Sequence, residues 1–511
     1  MIRVAALAVV VGAAATLVSC ANLDGASSAV DAIVEVTKGT VIRNVIVVNT
    51  RDGSLLPNRT LVIDDGKIQS VTVARAVRTS GTARAIDGAG KYVVPGYLDM
   101  HTHAMPAVDR QPSFWPLMLA NGITGIREMA GSAEAIKRAQ KLNADRAAGV
   151  VDAPEVVLIP SDAFAIPGPP PTAAAQVRAH KVQGAGFVKI VNASRDATLA
   201  ILAEAKTQGL EVAGHLPISV GAIESSDAGW RAHEHLGAGM GILLDCATEE
   251  TNIRRAILGG EGARPPFPPT FILTPLLYRA LDAPFYRRVL DSYDENKCQT
   301  VARAFVKNGT WQVPTLHRLR TMQFSDDQAY RSDPNLKYVD KTSRALWEDL
   351  ARQYSSSVPP AAAETFRQYY GLQQRVVKLM KRSGVKMLAG SDLGGIWVIP
   401  GVSLHQEFRE LAASGLAPLE VLQMTTLNAA EFLRREATMG TVEVGKNADL
   451  VLLDANPIDD VANLGKISAV ISRGKYFSSA AVQMMKSELA QALSNEPLRS
   501  LNTVLDTAHL H

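Results

Sequence analysis

From residue 97 to residue 391 short apolar runs alternate with longer stretches, most of which carry apolar residues at three- and four-residue spacing. Such alternation implies parallel strands joined by helical crossovers, an α/β arrangement. The candidate strands are residues 97–103, 122–129, 155–160, 187–191, 211–216, 231–236, 310–316 and 385–391. Helical periodicity is clearest over 133–148, 197–208 and 362–383. Eight parallel strands with intervening helices close into a (β/α)8 (TIM) barrel. Two stretches exceed an ordinary crossover, 237 to about 308 and about 326 to 357, and are expected to be helices inserted at the rim. The prolines at 167, 169, 170 and 171 predict a stiff, non-helical rim loop.

The two ends of the chain have a different texture. Residues 41–48 are β-rich, and Leu61-Val62-Ile63 leads through Asp64-Asp65-Gly66-Lys67, a hairpin signal, into 68–73. Residues 449–454 and 469–475 repeat that texture beyond the barrel. The expected division is a small β-sandwich from 39–94 and 436–480, a barrel over 95–435, and a C-terminal helical tail over 481–511. At the start, Arg3 precedes an apolar run over 4–18, too short to span a bilayer and of the length of a secretory signal core. It ends in Leu17-Val18-Ser19-Cys20, which resembles a bacterial lipobox. That resemblance implies a signal peptide over 1–19, lipidation of Cys20 and a tether over 20–38. It also implies a place in the bacterial cell envelope. With Ala21 rather than Asp next, the anchor would lie in the outer membrane, facing the periplasm or the surface. An ordinary signal peptide with a chance cysteine is the alternative.

Cys246 and Cys298 are the cysteines left after Cys20. In an oxidising compartment they can form a disulfide, and two buried thiols are the alternative. The net charge of +3 is spread along the 511 residues, with no basic stripe and no interleaving of aromatic and basic residues. That argues against nucleic acid as a partner.

The chemistry sits at the C-terminal ends of the candidate strands, the rim where such barrels carry their active sites. Strand one ends in His101-Thr102-His103, whose alternation points both imidazoles to one face. A lone His-x-His is a weak metal signal. Lys189 on strand four, His215 on strand five, His235 on strand six and Asp392 after strand eight join it. A lysine inside an apolar strand is costly unless it is paired or modified.

In this order the residues resemble the amidohydrolase superfamily over most of the chain. The matching strings are 95–103 (Pro-Gly-Tyr-Leu-Asp-Met-His-Thr-His), Gly122-Ile123-Thr124, Lys189, His215, Glu234-His235, Gly390-Ser391-Asp392 and 440–451. The similarity is to its imidazolonepropionase-like and Xaa-Pro dipeptidase-like branch. It implies two divalent metal ions. His101, His103 and Asp392 would hold the more buried ion, His215 and His235 the more exposed one, and a CO2-carboxylated Lys189 would bridge them. Zinc suits histidine and carboxylate ligands, and manganese, cobalt and iron are compatible. An unmodified Lys189 in a one-metal enzyme is the alternative. A hydroxide shared by the metals would be the nucleophile, with Asp392 taking its proton and passing it to the leaving group.

The implied reaction is hydrolysis of an amide or peptide-like C–N bond in a small molecule such as a dipeptide or N-acyl amino acid. Cyclic amides, lactones and phosphotriesters suit the same metal core. A non-catalytic binding lipoprotein on this barrel would be expected to lack part of the ligand set, and every ligand position is filled here. His317 and Arg318 follow strand seven, where one of them is a candidate for binding a substrate carboxylate, Arg318 by a two-pronged contact. A solvent-facing loop pair is the alternative. Strand alternation places His233 on the side of His235, as a core or supporting residue, and turns Glu234 outward toward a helix-side salt bridge. Arg127 is expected to tie the rim together, and His405 to lie in the first turn of a helix.

Overall fold

The computed structural model describes residues 34–73, 77–105, 114–165, 168–262 and 274–497. Cys20, the signal segment, Pro167, His509 and His511 lie outside them. Strands β1 to β7 (Val34–Val36, Thr40–Val48, Leu55–Asp64, Lys67–Val73, Val77–Thr79, Arg84–Asp87 and Tyr92–Pro95) come from the N-terminal part. The barrel strands are β8 to β14: Tyr97–Thr102, Ile123–Glu128, Glu155–Leu158, Val188–Ile190, Val212–Gly214, Trp230–Glu234 and Trp311–Val313. The final strands are β15 to β17: Leu450–Leu453, Ile467–Ser472 and Lys475–Phe477.

The barrel is parallel throughout. Strands β8, β9 and β10 form one ladder, and β11 to β14 form another. Single parallel bridges close the circle, Phe164 with Ile190, Gln312 with Met387, and Thr102 with Leu393. The eighth position is where expectation and structure differ. Residues 385–391 occupy it without forming a regular strand, bonding through Leu388 N–H to the Gln312 carbonyl at 3.0 Å and through the Ala389 carbonyl to Met100 N–H at 2.9 Å. Loss of ladder regularity there lets the chain turn sharply at Asp392, whose φ is 53°.

Eight strands of the β module share one sheet in their hydrogen bonding, and β1 and β5 form a separate pair. The main path of the sheet runs β17-β16-β15-β7-β2-β3-β4, with β6 alongside β2. Leu450 and Leu452 of β15 pair antiparallel with Pro95 and Val93 of β7, which joins the two chain ends. Alternation along these strands turns Ile42, Leu61, Ile63, Val93, Leu450, Leu452 and Ile471 into one buried apolar face. Residues Val34–Val36, expected as tether, pair in parallel with Val77–Thr79. Arg146 ties barrel to module through Asp449 at 2.8 Å.

The proline-rich loop also departs from expectation. Pro170 opens the helix Pro170–Gln183, with Pro169 as its N-cap. Proline lacks the N–H that a first helical turn leaves unpaired, so it suits that position. The long stretch after β13 holds the helices Gly241–Asp245, Glu250–Leu258, Ala283–Asp291 and Glu295–Asn308. Cys246, capping the first, is bonded to Cys298 in the last, with Cα atoms 4.4 Å apart.

The bond closes a separation of 52 residues. Chain-entropy arguments put its stabilisation at up to about 4 kcal/mol. Cys246→Ala/Cys298→Ala is therefore expected to unfold at lower urea than the parent, and reductant is expected to shift only the parent's midpoint. Equal midpoints would show that the bond adds no stability.

Candidate metal centre

Asp392 is the hub of a buried polar cluster at the C-terminal rim. His101 Nε2 lies 3.2 Å from its Oδ1, His103 Nε2 lies 3.3 Å from the same oxygen, and His235 Nε2 lies 3.7 Å from Oδ2. The ligand-type atoms of His101, His235 and Asp392 all fall within 4.8 Å of one another. The ring centre of His215 is 5.1 Å from that of His235. Lys189 on β11 is buried and close enough to feel the charges of Glu234 and Asp392. All six sequence-predicted ligand positions thus converge. The His103 side chain is 21 % exposed and His215 is half-buried, while those of His101, His235 and Asp392 are nearly closed off, so the cluster meets solvent at His103 and His215.

Three polar atoms at the centre are buried without a well-aligned hydrogen-bond partner: His101 Nε2, Asp392 Oδ1 and Lys189 Nζ. Orphaned buried donors and acceptors are rare in native proteins and call for a ligand or ion. Imidazole nitrogens and a carboxylate are a donor set for a divalent transition metal. The residues present fit such an ion.

Local backbone explains the convergence. Thr102 bridges to Leu393, so His101 and His103 flank the turn that carries Asp392. Asp99 accepts from Ser391 N–H at 2.9 Å and from Ser391 Oγ at 2.6 Å, locking strand one to the eighth segment. Gly390 is required beside them, since a Cβ there would lie 2.7 Å from His101 Cβ.

The electrostatics follow from burial among charges. Burial alone would raise the Asp392 carboxyl, but His235 and His101 hold it well below its usual range. Burial lowers Lys189 to about 8, opposed by Glu234 and Asp392. Burial also keeps His215 and His235 well below 6.5, hence neutral and able to donate a lone pair.

Strand six corrects the expected orientation of its polar residues. Glu234 faces inward, with Oε2 2.6 Å from His101 Nδ1 and Oε1 2.6 Å from Arg127 Nη2. Burial would raise its carboxyl, yet Arg127 and His101 bring it down to about 2. His233 faces the helices instead, stacked on Trp230 and bonded to Ser225 Oγ at 3.1 Å. The reason is the backbone. His235 has φ 56°, so strict alternation ends at Glu234 and both Glu234 and His235 face the barrel mouth.

Strand seven separates its two candidates. His317 is buried, gives its backbone N–H to Glu407 at 2.7 Å, and bonds through its ring to the Trp397 carbonyl. Arg318 instead lies at the cluster, its Nε 3.4 Å from Asp392 Oδ2, and its Nη2 is buried without a partner. Gly395 makes room for the guanidinium, where a Cβ would come within 2.4 Å of Cζ. Neither residue is the solvent-facing pair of the alternative reading. His405 does fall in the first turn of a helix, bonded to the Asn121 carbonyl at 2.8 Å.

Sequence pattern does not single out Asp99, Glu128 or Thr315. Glu128 accepts the Met105 N–H at 2.9 Å, beside the His101–His103 turn. Glu407 does carry a signal, because Leu404, Glu407, Phe408 and Leu411 share the buried face of the helix Val402–Ala413. Burial raises Glu407 to about 8, opposed by the amides of His317 and Leu316. The folded state therefore holds a proton that the unfolded chain releases near its ordinary 4.5, and this contribution to stability is lost as pH rises from there through about 8. Glu407→Gln keeps a neutral acceptor. Its stability relative to the parent is expected to rise with pH, by up to about 1.4 kcal/mol per pH unit, when melting curves at pH 5.5 and 8.5 are compared. A pH-independent difference would contradict this.

Comparison with known proteins agrees with the geometry. The Amidohydrolase family model matches residues 369–476. The chain is 24 % identical over 440 residues to the imidazolonepropionase of Symbiobacterium thermophilum, covering 83 % of this chain and 91 % of that one. Among solved structures it is similar to bottromycin amidohydrolase, with TM-score 0.66 and 20 % identity over 89 % of this chain and 90 % of that one. It is also similar to a Xaa-Pro dipeptidase with methionine bound in the active site, with TM-score 0.60 and 18 % identity over 86 % and 100 %. These structural likenesses are likenesses of fold. The barrel, the rim cluster and the family match over residues 369–476 together support a hydrolase of the amidohydrolase kind, acting on carbon–nitrogen bonds.

Proposed function

We propose that the protein hydrolyses the amide bond of a small substrate bearing a free carboxylate, such as a dipeptide or N-acyl amino acid. The observation that carries this reading is Arg318. A guanidinium 1 % exposed, paired at 3.4 Å with Asp392 and with an unpartnered Nη2, is a fixed cation at the reacting centre. A substrate carboxylate would satisfy that nitrogen with a charge-assisted hydrogen bond. The fold shared with a Xaa-Pro dipeptidase supports the same substrate class.

In this reading His101, His103 and Asp392 would hold one divalent ion, and His215 and His235 a second, with zinc the best match to the donors. Such ions lower the pKa of water and polarise a carbonyl oxygen. Lys189 is buried and close enough to feel the charges of both sets. Its lowered basicity supplies neutral amine, whose lone pair attacks CO2, forming the N–C bond and releasing one proton to solvent. The resulting carbamate replaces a buried cation with a two-oxygen anion. Asp392 takes a proton from the attacking water at a carboxylate oxygen and returns it to the leaving amine nitrogen. Arg318 orients the substrate and leaves that carboxylate ionised.

The test is turnover of dipeptides and N-acyl amino acids against their C-terminal amides and against cyclic amides. Asp392→Asn is expected to lose about 10²–10⁴ in kcat. Arg318→Ala is expected to raise KM for free acids about 10- to 100-fold and to leave KM for amides unchanged, while loss of its pairing with Asp392 lowers kcat for both. Turnover of cyclic amides alone would refute the reading and favour chemistry like that of the imidazolonepropionase relative.

We further propose export and lipid anchoring through Cys20. The lipobox-like Leu17-Val18-Ser19-Cys20 and the bonded Cys246–Cys298 pair support an oxidising envelope compartment. Cys20→Ala is expected to abolish labelling by fatty acid and membrane co-sedimentation, and unaltered labelling would overturn the assignment.

A further inference from the structure

Two rings of the cluster, His101 and His235, use Nε2 toward Asp392, so each must carry its ring proton on Nδ1 to offer a lone pair there. What holds that tautomer is visible in the structure. His101 Nδ1 meets Glu234 Oε2 at 2.6 Å. The other Glu234 oxygen meets Arg127 Nη2 at 2.6 Å, and Arg127 lies between the rings of Phe187 and Phe432 at 5.0 and 5.1 Å while reaching the Met100 carbonyl at 3.3 Å. A carboxylate braced in this way can only accept, so the proton on this contact belongs to His101.

His235 is held differently. Its Nδ1 lies 2.5 Å from Thr315 Oγ1, and that hydroxyl also lies 2.8 Å from the Pro314 carbonyl oxygen. A carbonyl cannot donate, so the single hydroxyl proton lies between Thr315 and Pro314. The hydroxyl is then the acceptor of the His235 bond, and Nδ1 carries the proton. Thr315 has φ 46°, a left-handed conformation costly for a β-branched residue. Glu407 holds the next turn by accepting the His317 amide at 2.7 Å. The strained backbone is thus kept where it aims the hydroxyl at His235.

We infer that Glu234, braced by Arg127, and Thr315 are positioning residues that lock the tautomers of His101 and His235 before any metal ion arrives. The inference rests on the metal-site reading, and it assigns roles to Glu234 at the end of β13 and Thr315 just past β14. Partners of this kind typically change metal affinity by 10- to 100-fold. Neither residue would touch substrate.

The experiment uses the full chain stripped of metal. Long-range proton–nitrogen spectra of histidine-labelled protein are expected to show two rings protonated at Nδ1 and bare at Nε2. Titration with Co2+ or Zn2+ against a competing chelator is expected to give Glu234→Gln and Thr315→Val about 10- to 100-fold weaker binding, with Thr315→Ser restored to near the parent value. Melting curves of the metal-free variants separate this from general destabilisation, because a merely structural role would lower the melting temperature and leave affinity intact in the folded fraction. Parent-like affinity in both variants, or Nε2-protonated rings in the metal-free protein, would overturn the inference. Expected tautomers together with no metal binding by the parent would instead refute the metal-site reading.

Discussion

The Asp392 carboxylate is shut away from water with three imidazoles and one guanidinium within 3.7 Å. A lone buried carboxylate would be protonated, because burial penalises its charge. Here the surrounding cation and ring nitrogens reverse that preference, and the arrangement needs strands one, six and seven together. None of these contacts is local in sequence. The closed barrel is therefore the condition for the charge, since only closure brings strand one beside the eighth segment at the Thr102–Leu393 bridge.

A second constraint is the way strands end. His235, Thr315 and Asp392 all have positive φ, between 46° and 56°. Each lies just past a barrel strand or the eighth segment. A strand that simply continued would send alternate side chains to the helix layer. The left-handed turn instead directs His235, Thr315 and Asp392 back over the barrel mouth. Strain of this kind collects at functional sites because the surrounding packing determines the local conformation.

Much of the barrel is legible in the sequence. Periodicity marks seven of the eight barrel strands near their observed positions, because a strand buried between barrel and helices must be a short apolar run. The six clustered polar positions are legible too, since charged or imidazole groups at the ends of apolar runs have few other uses. The eighth segment is legible as a barrel position but not in its hydrogen bonding. Pro170 and Pro171 mislead, because a proline penalises a helix interior yet suits its first turn, and the local pattern does not place that turn.

The pair His233 and Glu234 marks where sequence stops and tertiary structure begins. The sequence by itself determined that a barrel strand ends near residue 235 and that imidazole, carboxylate and amine groups gather at the rim. Those are properties of side-chain type and spacing, and they do not depend on contacts elsewhere. Only the tertiary structure decided which side chain faces which. It turned Glu234 inward to Arg127, 107 positions away, and sent His233 to Ser225. It also brought Arg318 rather than His317 to Asp392, and joined Cys246 to Cys298 where two free thiols were equally compatible with the sequence. The physical reason is the same in each case. A left-handed residue at a strand end redirects the side chains around it, and that conformation is held by packing between distant segments rather than by local preference.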